Sequence, residues 1–576
     1  MISIEEDHSF RNSQNDSNGP LPRTSRWPLR VFGVVVLIIG LVSLGSYLWR
    51  GRLPHDTHST DGSWLPGNEK AINGSGLLKS LNKSNYRAHS FLNSPPEKIL
   101  LITIDTLRAD HLSSYGYPKN TSPFLDSLTR DGIVFTNAYA PSSTTVPSHS
   151  SIMTGLYPMQ TGVETNHHKL NSQHQTLAEH LSQEGYTTAG FVSTNRHFKP
   201  TDLDQGFKTF NEPTKEEQYF SLPDSDTTYN LHYRSAGRTL ERAGKWIQSS
   251  GQSEKQFVWI HLFDPHYPYA YRPETHDPLR YQDDERRHDW MGFIKENHHF
   301  DLWSGPRPDH PNQDPYISAY RLYDGEIRYV DSQLEEFFES LQGKWSSDRL
   351  TIITSDHGEG LGNHNWWGHT KYVYNEQIRV PLIIHHPRKH WDRTVESVVE
   401  LNDLFTTISR EAGVPYSSVK SDTISLHSTP IQGLLHQSFD DQFNYAFAAR
   451  RPYSNDMTSV FAWLKWRWRE LTVPPLMYPL HDEYRWRRIR WPGRQFALVG
   501  DTSSYIYNTA LRDEFYDQQS DFYQTKNLIV DSPKRWKPYG STIRRLLNSL
   551  NQESPTGSST VDQATREKLR GLGYVN

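Results

Sequence analysis

Three segments of the chain place residue types that bind cations or attack esters at the ends of apolar runs. In "KILLITIDTLRAD" (98–110) a short β-branched run ends at Asp105. In "RLTIITSDHGE" (349–359) a similar run ends at Asp356, with His357 beside it. Carboxylates and an imidazole together form a mixed oxygen and nitrogen ligand set for a divalent cation. Strand-end Asp residues also cap helices, so each residue alone has a purely structural reading. Asp356-His357-Gly358 is the sharper signal, because adjacent ligands from one turn reach one ion. The third segment, "APSSTTVPSHSSIMTGLYP" (140–158), passes from a Ser/Thr-rich stretch into a helical pattern, with Pro147 suited to the first turn. Thr145 lies just before that Pro. It either caps the helix or acts as a nucleophile where the helix dipole favours an anionic ester. A bound cation lowers a neighbouring hydroxyl's proton affinity, and the helix N–H groups are expected to hold the ester's oxygens.

These residues need a scaffold that brings strand ends together. "TTAGFVSTN" (187–195) and "QFVWIHLFDPH" (256–266) repeat the design of the first two segments, with helical patterns such as "SPFLDSLTRDG" and "GEIRYVDSQLEEFFESLQG" between them. Alternating strands and helices predict an α/β fold with a doubly wound, mostly parallel sheet, whose ligands lie beyond the carboxyl ends of the strands. After about residue 430 the alternation weakens. "SVFAWLKWRWREL", "RRIRWPGRQFALVG" and "SSYIYN" read as antiparallel strands of a smaller C-terminal α+β subdomain, with "GSTIRRLLNSLNQ" as a helix on it.

Ahead of the catalytic part, residues 31–49 are free of charge and long enough to span a bilayer. The expected organisation is a disordered cytoplasmic tail (1–30), a transmembrane anchor (31–49), a flexible stalk (50–96), a catalytic domain (97–429), a C-terminal subdomain (430–545) and a tail (546–576). The formal net charge of −5 gives no ground for nucleic acid as a partner. Cysteine is absent, which excludes disulfides, thiolate ligands and a cysteine nucleophile. Between Lys465 and Arg494, eight basic residues face three acidic ones among tryptophans. That stretch reads as a solvated basic hairpin or as a surface for anionic headgroups or polysaccharide.

The motifs "LLITIDTLRADHLSSYGY", "VPSHSSIMTGLYP", "HLFDPHYPY", "YDGEIRYVD", "ITSDHGEGLGNHNWWGH", "YNEQIRVPLII" and "EFYDQQSDFYQTKNLI" together resemble the sulfatase family of the alkaline phosphatase superfamily, from about Lys98 to about Val530. The resemblance implies an alkaline-phosphatase-like fold. It implies Asp105, Asp356 and His357 as metal ligands, with Thr145 at the nucleophile position and also touching the metal. It implies His266 as the group that contacts the ester or protonates the leaving group. Asn166, His149 and His369 fall at substrate-binding positions: His149 replaces the family's Arg, and His369 lies near a position that often carries Lys. His364 reads as a solvated loop residue. Thr106 stands where many sulfatases have a further ligand.

Thr145 departs from the Cys or Ser that formylglycine sulfatases carry, and its oxidation gives a ketone instead of an aldehyde. A Thr here is similar to superfamily phosphodiesterases and phosphoethanolamine or phosphoglycerol transferases. The ligand set implies one divalent ion, Mn²⁺ or Zn²⁺ ahead of Mg²⁺ or Ca²⁺. The expected function is a single-pass membrane hydrolase with its catalytic domain on the periplasmic or extracellular side. It would cleave a phospho- or sulfo-ester of a glycan, lipid headgroup or small molecule. A transferase and a non-catalytic binder of anionic glycan or lipid are the alternatives.

Overall fold

The computed structural model describes residues 91–414, 445–451 and 494–553, apart from 222–227, 231–232, 251–254, 268, 270–274, 276–314, 342, 344, 346–347 and 510. The apolar run at 31–49 and most of the basic stretch at 465–494 lie outside these residues. Among the described residues, no helix is long and apolar enough to cross a membrane.

The chain enters the fold on β1 (Lys98–Ile104), then α1 (Pro123–Asp131), β2 (Ile133–Tyr139), α2 (Thr145–Thr154), α3 (Pro158–Thr161) and α4 (Leu177–Gln183). Next come β3 (Thr187–Val192), β4 (Thr209–Asn211), the short pair β5 (Tyr219–Ser221) and β6 (Thr228–Asn230), α5 (Ala236–Ser249) and β7 (Gln256–Leu262). The long helix α6 (Pro315–Ser340) leads to β8 (Arg349–Thr354), the two-residue strands β9 (Gly360–Leu361) and β10 (Trp367–Gly368), and α7 (Asn375–Ile378). β11 (Arg379–His385), β12 (Arg393–Val395), β13 (Val399–Glu400) and α8 (Asp403–Glu411) complete this part.

The main sheet has the order β12-β2-β11-β8-β1-β7-β3-β4, with β13 also on β2. All its pairings are parallel except those of β11, which runs antiparallel to β2 and β8. The four strands predicted from apolar runs form its centre, and β11 is the addition that the alternation rule does not anticipate. Every residue of β1 is buried, and its side chains alternate between two cores. Ile99 and Leu101 pack with Ile152 of α2, Leu181 of α4 and Leu404 of α8. Leu100, Ile102 and Ile104 pack with Leu125 of α1, Leu240 of α5 and Leu334 of α6. Each such fully buried aliphatic side chain is worth about 1.5–3 kcal/mol. Helices on both faces leave the strand ends as the open edge where β1 and β8 deliver Asp105 and Asp356.

A second sheet of β14 (Tyr445–Arg450), β15 (Gln495–Gly500), β16 (Ser503–Asn508) and β17 (Glu514–Asp517) is antiparallel throughout. Helix α9 (Pro533–Glu553) covers one face through Ile543 and Leu546, and runs past the boundary expected at 545. The other face packs on Tyr139, Val373 and Ile378. A buried acidic pair sits where the two sheets meet. Glu400 accepts from the Tyr157 hydroxyl (2.8 Å) and from the Phe447 N–H (2.5 Å), and its own N–H donates to Asp403 Oδ2 (3.3 Å). Burial pushes the Glu400 carboxyl up to about 8 and Asp403 upward as well.

Candidate active site

Asp105, Asp356 and His357 converge at the ends of β1 and β8, fully buried, each with a ligand atom within 4.8 Å of the others. Their hydrogen bonding shows what they need. Gly358 O can only accept, so the His357 Nδ1 at 3.0 Å from it carries the proton. The Nε2 lone pair then faces Asp356 Oδ2 at 3.4 Å and Asp105 Oδ1 at 3.8 Å. Both Asp105 oxygens and Asp356 Oδ2 are buried without a hydrogen-bond partner. Buried acceptors turned on one another with no donor between them are costly unless a cation joins them. The residues present therefore fit a single divalent ion. Desolvation, then the mutual repulsion with Asp356 and Glu359, pushes the Asp105 carboxyl well above its ordinary range. Desolvation also raises Asp356, against the N–H donors of Thr106 and His357.

Thr145 is the first residue of α2, and Thr144 has the extended backbone of the residue that precedes a helix. The Thr145 hydroxyl lies 3.2 Å from His357 Nε2, beside the cluster. The helix start offers fewer free donors than expected. Val146 N–H donates to Asn166 Oδ1 at 2.8 Å, Pro147 has no N–H, and Ser148 N–H bonds Thr144 O at 3.0 Å. Of the N-terminal amides only that of Thr145 is left for a ligand. The Asn166 amide nitrogen is buried and has no partner, so it supplies the donor that the helix lacks. His149, expected at a substrate-binding position, is engaged within the protein. Its Nδ1 donates to Thr145 O (2.8 Å), and its Nε2 accepts from Thr103 Oγ1 (3.0 Å), which in turn accepts from Trp259 Nε1. Burial pushes its pKa down to about 3, so it is a neutral ring that fixes the first turn.

His266 follows β7. Its Nδ1 donates to Tyr267 O at 2.5 Å, and its ring packs on Phe263. His369 stands between His266 and His357, with ring centroids 5.0 and 4.4 Å away. The structure thus brings Asp105, Thr145, Asn166, His266, Asp356, His357 and His369 to one end of the sheet. His364 is neither solvated nor at the metal cluster. Its Nδ1 meets Glu376 Oε1 at 2.8 Å, its Nε2 meets Gln524 O at 3.0 Å, and its ring stacks on Tyr374 at 3.6 Å. Thr106 adopts the left-handed region with φ 59°, and its buried Oγ1 has no hydrogen-bond partner. That conformation strains a β-branched residue by about 1–3 kcal/mol. It lets the Thr106 N–H reach Asp356 Oδ1 at 3.3 Å.

A family model described as Sulfatase matches residues 97–414, more than half of the chain. The chain belongs to the sulfatase family. It is thereby an ester hydrolase of the alkaline phosphatase superfamily. Among curated relatives, the Escherichia coli (strain K12) protein described as uncharacterized sulfatase YidJ is 26% identical over 340 residues, which are 55% of this chain and 67% of the relative. A structure solved in complex with its substrate, D-glucosamine-2-N,6-O-disulfate, superposes with a TM-score of 0.56 at 18% identity, over 80% of this chain and 98% of that one. The phosphonate monoester hydrolase of Agrobacterium radiobacter gives 0.54 at 19% identity, over 80% and 96%. At these identities the two structures establish the fold.

Two residues of this sulfatase-family site escaped the sequence reading. Glu359 Oε1 lies 3.0 Å from His369 Nδ1, and Tyr269 donates to Oε2 at 3.4 Å; burial pushes the carboxyl up to about 8. His261, inside β7, places Nε2 3.3 Å from Asp105 Oδ2. A histidine within the apolar run "FVWIHLF" was the available signal, since a strand interior admits a polar ring only beside a polar neighbour.

Proposed function

We propose that the protein cleaves an anionic ester, sulfo- or phospho-, through attack by the Thr145 hydroxyl. The observation that carries this reading is the placement of Thr145 Oγ1 at the start of α2, 3.2 Å from His357 Nε2 and beside three orphaned carboxylate oxygens. The cation that Asp105, Asp356 and His357 would hold supplies positive charge beside that hydroxyl. Thr145 Oγ1, giving up its proton to solvent, forms the bond to the ester's central atom while the bond from that atom to the leaving oxygen breaks. Water then hydrolyses the Thr145 adduct to free the acid and restore the hydroxyl. The Asn166 amide and the Thr145 N–H donate to the central atom's equatorial oxygens. His266 Nε2 lies on the side opposite its Tyr267 contact, placed to exchange a proton with the leaving oxygen. Glu359 holds the His369 ring, which contacts the anion. A threonine hydroxyl attacks directly, with no oxidation to an aldehyde first.

The family and the neighbour solved with a disulfated glucosamine favour an ester on a sugar. The apolar run at 31–49 supports attachment to a membrane, and we place the catalytic part on its outer face, as for an uncleaved signal anchor. The test is to quench the full chain during turnover of aryl sulfate, aryl phosphate and aryl phosphodiester, and to analyse its peptides by mass spectrometry. The expected result is a sulfuryl or phosphoryl adduct on the peptide containing Thr145. Turnover without any adduct, together with an active Thr145→Ala variant, overturns the reading. Protease protection in sealed vesicles tests the topology: the catalytic part should be digested only from the outer side.

A further inference from the structure

A cavity of ≈520 Å³ lies against the back of the catalytic loop, and the chemistry above does not use it. Arg108 forms the shared wall. Its Nη1 donates to Glu359 O at 3.1 Å and to Asn363 Oδ1 at 2.9 Å. The cavity is bounded also by Asp110, Tyr320, Arg379 and Tyr523.

Charge in this cavity does not balance. Arg108 is spent on Asp110 through two parallel hydrogen bonds of 2.9 and 2.7 Å. Arg379 has no such partner. Its Nε and Nη2 both donate to the Thr136 carbonyl, at 3.0 and 2.6 Å, and its guanidinium carbon lies over Phe522, 4.7 Å from the ring centroid. Among the described residues, no carboxylate forms an ion pair with it. The guanidinium is thus held in place by a carbonyl and a ring; Asp110 feels its charge but is hydrogen-bonded to Arg108, so two cations share one carboxylate and leave one positive charge for an anion.

The walls are phenolic. Tyr320 stacks on the His111 ring at 5.6 Å and 11°, which fixes its orientation. Tyr523 is 46% exposed, one of two large hydrophobic side chains that stand so open among the described residues. An exposed aromatic ring at the mouth of a polar cavity offers a flat apolar face where a ligand with one apolar face settles. A pyranose has that shape: axial C–H groups on one face, and hydroxyls around the rim for acceptors such as Asp110.

We propose that this cavity binds an anionic sugar residue, a pyranose bearing a carboxylate or a sulfate, with the anion on Arg379 and the ring against Tyr523 and Tyr320. The choice of a sugar rests on the glycan reading of the active site, whereas the cavity and its surplus cation do not. A glycan substrate would then be gripped at a unit other than the one that reacts, and Arg108 joins that grip to the catalytic loop.

The test is calorimetric titration of the full chain with glucuronate, glucose 6-sulfate and glucose. Both anionic sugars should bind and glucose should not; the stronger of the two identifies the preferred anion. Tyr523→Ala, at an exposed position, should weaken binding at least several-fold and leave aryl-ester turnover within about twofold. Arg379→Gln should weaken it by roughly 10–100-fold, the worth of a charged hydrogen bond. Thr145→Ala should bind as the parent does. Equal binding of glucose, no binding of any sugar, or binding lost in Thr145→Ala but kept in Tyr523→Ala overturns the proposal. Sugar binding that persists while no ester is turned over sinks the catalytic reading and leaves this one standing.

Discussion

The loop from Ser355 to Gly368 has polar clusters on two sides, and they are built in opposite ways. On one side Asp105, Asp356 and His357 turn acceptors toward one another, and three carboxylate oxygens have no donor. On the other side His364 lies between Glu376 and the Gln524 carbonyl, Asn375 N–H donates to Gln524 Oε1 (2.7 Å), and Glu514 accepts from Tyr374, Tyr516 and Asn508. Each carboxylate there meets a donor through at least one oxygen, Glu376 Oε2 and Asn375 Oδ1 being the only unpaired atoms of these residues, and the cluster clasps the C-terminal sheet to the catalytic loop. The difference separates a site from a joint. Polar groups that complete one another hold a structure together; buried groups left incomplete wait for something the chain does not contain.

The largest expected effect breaks the incomplete side. Thr145→Ala should lower turnover by roughly three orders of magnitude or more. The fold should survive, since a residue at a helix start contributes only about 1 kcal/mol; circular dichroism and steady-state rates together check this. Loss of fold along with activity would make Thr145 a structural residue.

A pH experiment extends the comparison to the buried acidic pair where the two sheets meet. The Glu400 carboxyl is raised from an ordinary 4.5 to about 8 in the fold, so the folded state holds the extra proton. Its contribution to stability is full below pH about 4.5 and is lost as the pH rises through 8. Melting temperature should fall across that window, and Glu400→Gln, which still accepts from Tyr157 and Phe447, should flatten the fall by one proton's worth. An unchanged slope in that variant would show that Glu400 does not carry the proton.

Cation loading gives the next effect. Stripped of metal, the protein should gain about 2.7 kcal/mol when Mn²⁺ or Zn²⁺ is added to 100 times its Kd. Asp105→Asn should raise the melting temperature of the stripped protein by relieving the facing carboxylates, and should abolish both the cation-dependent gain and turnover. A stripped Asp105→Asn that melts lower than its parent would mean that the acidic cluster is stabilising without a cation.

The smallest effect belongs to the clasp. Both partners of His364 are acceptors, so its ring must carry two protons. Burial opposes the imidazolium, but the Glu376 hydrogen bond and charge hold its pKa above the ordinary 6.5. Its contribution is therefore full below about pH 6.5 and is lost as the pH rises through the raised value. His364→Gln should cost about 1.5 kcal/mol at pH 6 by thermal melting. The gap to the parent should close at alkaline pH, and a constant gap would show that the ring is neutral.

The sequence made the cluster of Asp105, Asp356 and His357 legible because these residues end apolar runs, and parallel strands buried on both faces place such ends at one edge. Thr145 was legible through Pro147. The fates of His149 and His364 were not, because a histidine's partners depend on which residues the topology brings opposite. His149, on α2, faces Thr103 of β1, and His364 faces Gln524, which is 160 positions away. β11 escaped notice because "RVPLII" is apolar like its neighbours, and direction leaves no trace in such a run. Glu359 could have been suspected from its place two residues after His357, but its role follows from His369, ten positions on.

Gly358 shows how this architecture restricts the ways the sequence can change. Its N–H donates to Gln377 O at 2.9 Å. A Cβ at this position would lie 2.2 Å from Glu376 O and 3.3 Å from Arg108 Cγ. The neighbour in the way at 2.2 Å is backbone, at the start of α7, and it cannot rotate aside as a side chain can. Every replacement of glycine adds that carbon, so no single mutation at residue 358 is mild. Each would push α7 away from the ligand pair on one side and strain the clasp on the other. Drift at this codon is closed unless residues 375–378 shift in the same step, which makes catalysis and the seating of the C-terminal sheet a single inherited unit.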